Sequence, residues 1–355
     1  MEKKFMKGNE AIAEAAIRAG CRFFAGYPIT PQNEIPEYLS WRLPEVGGVF
    51  VQGESEIASI SMVHGAAAAG FRAMTSSSSP GMSLKAEGIS TLAGARLPAV
   101  IVDVARSGAG SGQILPGQNQ YNVATKAPGH GGFKVMALAP STVQEAVDMT
   151  YKAFDYADRD RNPVIVLADG DIGGMMEAVT LPDYKTEMPD KSDWVLDGCK
   201  GREIRVNSSY VHDVAMLEQQ QIECAAMYER WQREDAQSES YLVEDAEIVI
   251  AAYGISARAA KSAIRELRKE GVKIGLVRPI TVSPFPVAAF DELDYNRVRH
   301  ILCVEMCIPA LMVEDVKCAI ARRSEISTFG RGGGFVISPD QIVDAVRMLP
   351  GEGRN

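Results

Sequence analysis

The chain has 355 residues, 46% of them hydrophobic and 23% charged, with a net charge of −9. That length suffices for two domains with substantial cores, and the acidic balance argues against nucleic acid or an anionic membrane surface as the main partner. No apolar run approaches the roughly 20 residues of a membrane span, and the six cysteines contain no Cys-x-x-Cys pair from which an iron–sulfur site could be built.

The start, Met1-Glu2-Lys3-Lys4-Phe5, is read as leading directly into an amphipathic helix rather than a signal-peptide core, which points to the cytoplasm. A helix is expected over residues 10–19, capped by Asn9 and stopped by Gly20. A short strand at 22–25 runs into Gly26-Tyr27-Pro28-Ile29-Thr30-Pro31. The two prolines fix φ at both ends of Ile29-Thr30 and present the threonine hydroxyl at low conformational cost. Taken alone, the hexapeptide also reads as a stiff strand-to-helix turn. Strands follow at 49–51, 73–76, 99–104 (read as fully apolar) and 163–167. Helices alternate with them at 57–69, 84–92 and 141–157. Uninterrupted Val/Ile/Leu strands separated by helices indicate a parallel sheet covered on both faces.

Residues 1–180 are therefore expected to form one α/β domain. Residues 181–243 are polar and read as a surface connection holding one helix at 211–235. Strands at 247–253, 272–277 and 300–305, with helices at 257–270 and 339–348, make residues 244–355 a second, smaller α/β domain.

Three strand ends carry residues suited to one crevice, since ligands of open α/β sheets bind at the carboxyl edge. Glu56 stands where a strand ends and a small-residue helix begins; with Glu54 it also reads as a favourable charge near the helix's positive end. Ser76 to Ser79 with Pro80-Gly81 read as a small hydroxyl-rich loop that allows close approach of a ligand, or as a solvated loop. Arg106 follows an apolar strand and suits a planar carboxylate, which it can grip with two parallel bonds, or a surface ion pair. The convergence of Thr30, Glu56 and Arg106 weighs more than any one of them. His130, glycine-flanked, is a candidate proton donor or substrate contact near neutral pH, or a satisfied loop histidine. Gly108-Ala109-Gly110-Ser111-Gly112 lacks the third glycine of a nucleotide fingerprint and reads as a flexible loop running to Gly117. Asp169-Gly170-Asp171 has no nearby asparagine to complete a metal–diphosphate motif, so no metal ligands are assigned.

Tyr27-Pro28-Ile29-Thr30-Pro31, Ser55-Glu56 before His64-Gly65-Ala66, Thr75-Ser76-Ser77 with Pro80-Gly81, and Arg106 occur in the order seen in the 2-oxoacid:ferredoxin oxidoreductases. The chain resembles their alpha-type subunit over nearly its whole length. Pro116-Gly117-Gln118 and Gly129-His130-Gly131 look most like the branched-chain 2-oxoisovalerate branch. The resemblance implies a thiamine-type pyrimidine-binding parallel-sheet domain followed by a transketolase C-terminal-like domain. It implies that Glu56 bonds the ring nitrogen N1′ of thiamine's aminopyrimidine, that Tyr27, Pro28 and Ile29 wall that ring, and that Thr30 and Arg106 hold the 2-oxoacid; Ser77 and His130 are counted beside them as candidate cofactor and substrate contacts. The diphosphate half of the cofactor site, with magnesium and a [4Fe–4S] cluster, would come from a beta-type partner. Gamma and ferredoxin-like delta subunits, ferredoxin and coenzyme A are the other implied partners of an oxidative decarboxylation yielding acyl-CoA. A 2-oxoglutarate or aryl 2-oxoacid enzyme, or a scaffold without chemistry, would share the same fold. One departure stands out: where the family often has Gly-Gln-Met after the second domain's glutamate, this chain reads Glu305-Met306-Cys307-Ile308-Pro309-Ala310-Leu311-Met312.

Overall fold

A computed structural model describes residues 2–126 and 128–350. Its larger sheet runs, edge to edge, Thr281–Ser283, Met136–Leu138, Pro163–Asp169, Ala99–Ser107, Ala73–Ser77, Phe23–Gly26, Val49–Gln52. Neighbours are parallel except the first pair. Gln113–Pro116 folds back antiparallel onto Ala99–Ser107, so the loop expected to be flexible up to Gly117 ends in a hairpin strand. The central strands are buried along their whole length. Val100, Val102 and Val104 enter one apolar layer, Ile101 and Ala105 the other, which is why such strands read as continuous rather than alternating.

A second sheet runs Ser238–Tyr241, Ile274–Pro279, Ile248–Ala251, His300–Glu305, Glu325–Gly330. It is parallel apart from its first strand. The strand Thr281–Ser283 follows the second sheet's Ile274–Pro279 in sequence but joins the first sheet.

Several elements differ from the sequence reading. The amino terminus is a strand, Glu2–Lys7, paired antiparallel with Met176–Leu181. Its period-two pattern sends Met6 into a small cluster with Ala11, Val147 and Val179 and leaves Phe5 exposed. The first helix, Gly8–Arg18, begins one residue before Asn9, and its first position needs glycine because an ideal Cβ there would stand 1.9 Å from the Ile172 carbonyl oxygen. Asn9 therefore does not cap; its Nδ2 donates to the Pro31 carbonyl and to Glu34, each at 2.8 Å. A helix not anticipated, Glu34–Glu45, carries Pro36 in its first turn, where no N–H is missed, and Pro44 at its end. The helix expected at 84–92 spans Ser79–Gly94. In the polar stretch, Val214–Arg230 continues into the wide turn Trp231–Asp235. Trp231 is buried there and donates Nε1 to Asp160 at 2.7 Å, pinning the stretch to the helix Val143–Asp160.

The two sheets are locked by two buried side chains. Asp169 accepts from the Ile172 N–H at 2.9 Å and the Ile255 N–H at 3.0 Å, thereby capping a helix start on each side. Gly254 lies between, at φ +57°, and an ideal Cβ there would stand 2.8 Å from Asp169 Oδ2. Gln118 bonds the Met306 main chain through its own N–H (2.9 Å) and its Oε1 (2.8 Å). Its amide also accepts from the Ser256 hydroxyl at 2.8 Å and donates to the Tyr253 carbonyl at 2.9 Å. Gln118→Leu strips three buried partners at once and is expected to lower unfolding free energy by about 3 kcal/mol. Denaturant titration of the purified chain checks this, and an unchanged midpoint would remove Gln118 from the lock.

Candidate active site

The carboxyl ends of Phe23–Gly26, Val49–Gln52, Ala73–Ser77 and Ala99–Ser107 open onto one edge. Glu56 is the first residue of the helix Glu56–Ala68, whose cap is Ser55, accepting from the Ala58 N–H at 3.2 Å. Only 6% of Glu56 is exposed. Its carboxylate lies over Gly81, where an ideal Cβ would stand 2.8 Å from Glu56 Oε1 and 2.1 Å from Ser77 Oγ. Glycine at 81 thus lets the carboxylate and the Ser77 hydroxyl share one small space.

Thr30 and Arg106 are brought together. Arg106 is a residue inside its strand rather than after it, and its guanidinium donates to the Thr30 carbonyl at 3.1 Å and the Ser111 carbonyl at 2.6 Å. The Thr30 hydroxyl accepts from Asn33 Nδ2 at 3.2 Å. Gln32 sits beneath, accepting from Ser76 Oγ and donating to the Tyr27 carbonyl. Together with Asn9, it sews the proline loop to the sheet. Tyr27 and Pro28 are exposed and Ile29 half-buried.

His130 is not part of this group. It is exposed, 3.8 Å from Glu87, with its N–H on Ser90 Oγ at 2.9 Å. It borders a cavity of about 300 Å³ with Ser90, Cys224 and Tyr228. Ser90 is nine residues beyond Gly81, roughly 13 Å further along the same helix. His64 is half-buried on the helix begun by Glu56, and burial lowers its pKa.

Polar groups at this edge have no partner among the described residues: the hydroxyls of Thr75, Ser77 and Ser78, Nε of Arg106 and both oxygens of Asp103. A buried carboxylate beside a glycine cradle, orphaned hydroxyls and an unpaired guanidinium N–H fit a flat, hydrogen-bonding heterocycle together with a small carboxylic acid. The sequence reading missed Asp103, which interrupts the strand taken as fully apolar; it is fully buried, and desolvation raises its pKa well above the usual carboxyl range. It also missed Lys85, fully buried on the helix Ser79–Gly94. A cavity of about 800 Å³ opens between that helix, the Gly108–Gly110 turn and Cys307 to Leu311. No charged side chain lines it among the described residues; Leu84, Val123, Ile308 and Pro309 do. The departure segment is fixed at its root by Glu305, which accepts from the Leu311 and Met312 N–H groups, and Cys307 Sγ accepts from Asn119 at 3.2 Å. Asp169 spends both carboxylate oxygens on helix caps. Among the described residues no group of three His, Cys, Asp or Glu is arranged to hold a metal ion, and no helix is long and apolar enough to cross a membrane.

Comparison with known proteins adds independent findings. Residues 14–245 match the family described as pyruvate flavodoxin/ferredoxin oxidoreductase, thiamine diphosphate-binding. Residues 246–342 match pyruvate:ferredoxin oxidoreductase core domain II. The chain is 46% identical over 354 residues to the ketoisovalerate oxidoreductase subunit VorB of Methanothermobacter thermautotrophicus, covering 99% of each. It is 35% identical over 380 residues to the 2-oxoglutarate synthase subunit KorA of Methanocaldococcus jannaschii, covering 98% of this chain and all of the other. Among solved structures, 2-oxoglutarate:ferredoxin oxidoreductase from Magnetococcus marinus superposes with TM-score 0.85 at 25% identity, across 97% of this chain and 65% of that one. A split-gene transketolase shares the fold at TM-score 0.61 and 13% identity.

Asp103 provides a direct check on the electrostatics of this edge. Its folded pKa is raised, so the folded chain keeps a proton that the unfolded chain releases above its ordinary 3.8. Stability therefore falls as pH rises from that value toward the folded pKa. Asp103→Asn, which resembles the protonated acid, should flatten this slope and leave stability at pH 8 unchanged or higher. Thermal unfolding across pH measures it, and a marked loss at pH 8 would mean that the carboxylate is ionised and partnered.

Proposed function

The chain belongs to the 2-oxoacid:ferredoxin oxidoreductase family as a subunit of the alpha type, and from that premise we propose that it acts in a heteromeric complex on a 2-oxoacid with an uncharged, branched side chain, such as 2-oxoisovalerate. The observation that carries this reading is the buried Glu56 carboxylate over Gly81, on the same edge as the Arg106–Thr30 pair. Thiamine diphosphate, when bound, supplies the nucleophile and electron sink for decarboxylation. Glu56 would receive its aminopyrimidine and hold or yield a proton at the carboxylate oxygen beside Gly81. Ser77 would offer its unpartnered hydroxyl to the same ring, with Tyr27, Pro28 and Ile29 as an apolar wall. Arg106 has its Nε–H to give to a substrate carboxylate, while the Thr30 and Ser111 carbonyls fix the guanidinium plane.

A beta-type partner carrying the diphosphate, magnesium and cluster sites completes this scheme, with gamma and delta subunits, coenzyme A and ferredoxin as further members and the cytoplasm as its place. The relatives named above are themselves subunits. The cavity without charged lining supports an apolar acyl chain over a dicarboxylate, which would need a cation there.

In the assembled complex, Glu56→Gln should cut turnover by about 100-fold or more while the subunits still assemble; a retained rate would remove Glu56 from its role. Arg106→Lys keeps the charge but loses the fork, and steady-state kinetics should show a raised KM for the 2-oxoacid with a smaller change in kcat. Leu84→Arg should shift the kcat/KM ratio from 2-oxoisovalerate toward 2-oxoglutarate by about tenfold or more. An unmoved ratio would place the acyl chain outside this cavity.

A further inference from the structure

Lys85 is a buried ionisable residue near Glu56 that the proposed chemistry does not use, and its setting is unusual for a lysine. Fully buried lysines occur almost only when paired, yet Lys85 is 0% exposed. Among the described residues its Nζ makes one long hydrogen bond, 3.4 Å to the main-chain carbonyl of Glu56. It stands one helical turn past Gly81, on the face where the helices Glu56–Ala68 and Ser79–Gly94 cross. The crossing is tight: at Gly88, one more turn along, an ideal Cβ would meet Ile60 Cγ2 at 2.4 Å. A leucine would be the ordinary occupant of such a position.

We infer that Lys85 is a positioning residue for Glu56: its buried ammonium anchors the main chain where that helix begins and supplies the counter-charge to the carboxylate above Gly81. The inference rests on the reading of Glu56 given above and extends it to a group that touches neither cofactor nor substrate. Two helix N-termini start at the same place and already favour negative charge, and Lys85 adds a full positive charge from beneath. The other ionisable groups on these elements are Glu54 and Glu87, both exposed, and half-buried His64. In the sheet below stands Asp103, whose carboxyl burial pushes well above the usual range, and at the strand end Arg106, turned to Thr30 and Ser111. Desolvation brings the Lys85 amine down to about 8, and the Glu56 carboxylate is what opposes a larger fall. The counter-charge is therefore present below about pH 8 and lost as pH rises through it.

The test begins with the full chain carrying isotopically labelled lysine, its Nζ signals followed by NMR across pH. One lysine should titrate near pH 8, vanish in Lys85→Met and titrate lower still in Glu56→Gln. A Lys85 that titrates with the other lysines, or ignores Glu56→Gln, overturns the pairing. In the assembled complex, wild-type turnover should decline as pH passes 8. Lys85→Met should turn over poorly at every pH, without that limb, while its thermal midpoint stays level or rises because a buried charge has been removed. A lower midpoint with an unchanged pH profile would make Lys85 a packing residue only and overturn the inference. Should Glu56→Gln retain full turnover, the functional reading of Glu56 fails by itself, and the NMR titration still decides whether the two residues are coupled.

Discussion

Asp169 is the constraint on which the arrangement depends. One carboxylate, fully enclosed, satisfies the first N–H groups of a helix in each half of the molecule, so the two sheets cannot turn relative to each other without abandoning a buried charge. Burial lifts its pKa to about 6, so its ionisation at neutral pH is itself maintained against a desolvation penalty by those donors. Gln118, bonded to Met306, Ser256 and Tyr253, repeats the link beside it, both side chains closing on Gly254. Between them the carboxyl edge of the first sheet and the segment Cys307 to Leu311 are held in fixed register. The charge-free cavity exists because of that register.

The site is assembled by close approach rather than by long reach. Gly81 admits the Glu56 carboxylate and the Ser77 hydroxyl to one space, and Gly88 lets Ile60 close the helix crossing. The proline loop is held from three directions: by Asn9 from the first helix, by Gln32 on Ser76, and by Arg106 on the Thr30 carbonyl. Asn9, Arg106 and the Gln32 amide all donate to main-chain carbonyls of the loop, while Ser76 holds Gln32 side chain to side chain, so the loop's shape follows from hydrogen bonds that do not use the side chains of Tyr27 or Pro28. The exposed residues of the loop are free to serve recognition; its carbonyls are committed to structure.

Much of this was legible from the residues. Strands buried on both faces declare themselves by unbroken apolar runs, and Glu56 at a strand-to-helix transition marks the edge without any coordinates. What escaped had physical reasons. Glu2–Lys7 is an edge strand whose lysines mask its alternation, and Glu34–Glu45 hides behind two prolines that its termini tolerate. Lys85 and Asp103 were invisible because a lone charge in a helix or strand pattern normally means solvent, and only three-dimensional enclosure shows otherwise. His130 lies at the far end of the helix from Gly81, and its glycine neighbours do not say which end of a helix their loop meets.

The strand Thr281–Ser283 has one more consequence. It pairs antiparallel with Met136–Leu138 and so closes the border of a sheet otherwise built from the first half of the sequence. A fragment ending before it would bare the hydrogen-bonding groups of a short apolar strand, the type of surface that recruits other chains. The two halves therefore resemble interleaved pages more than beads on a string.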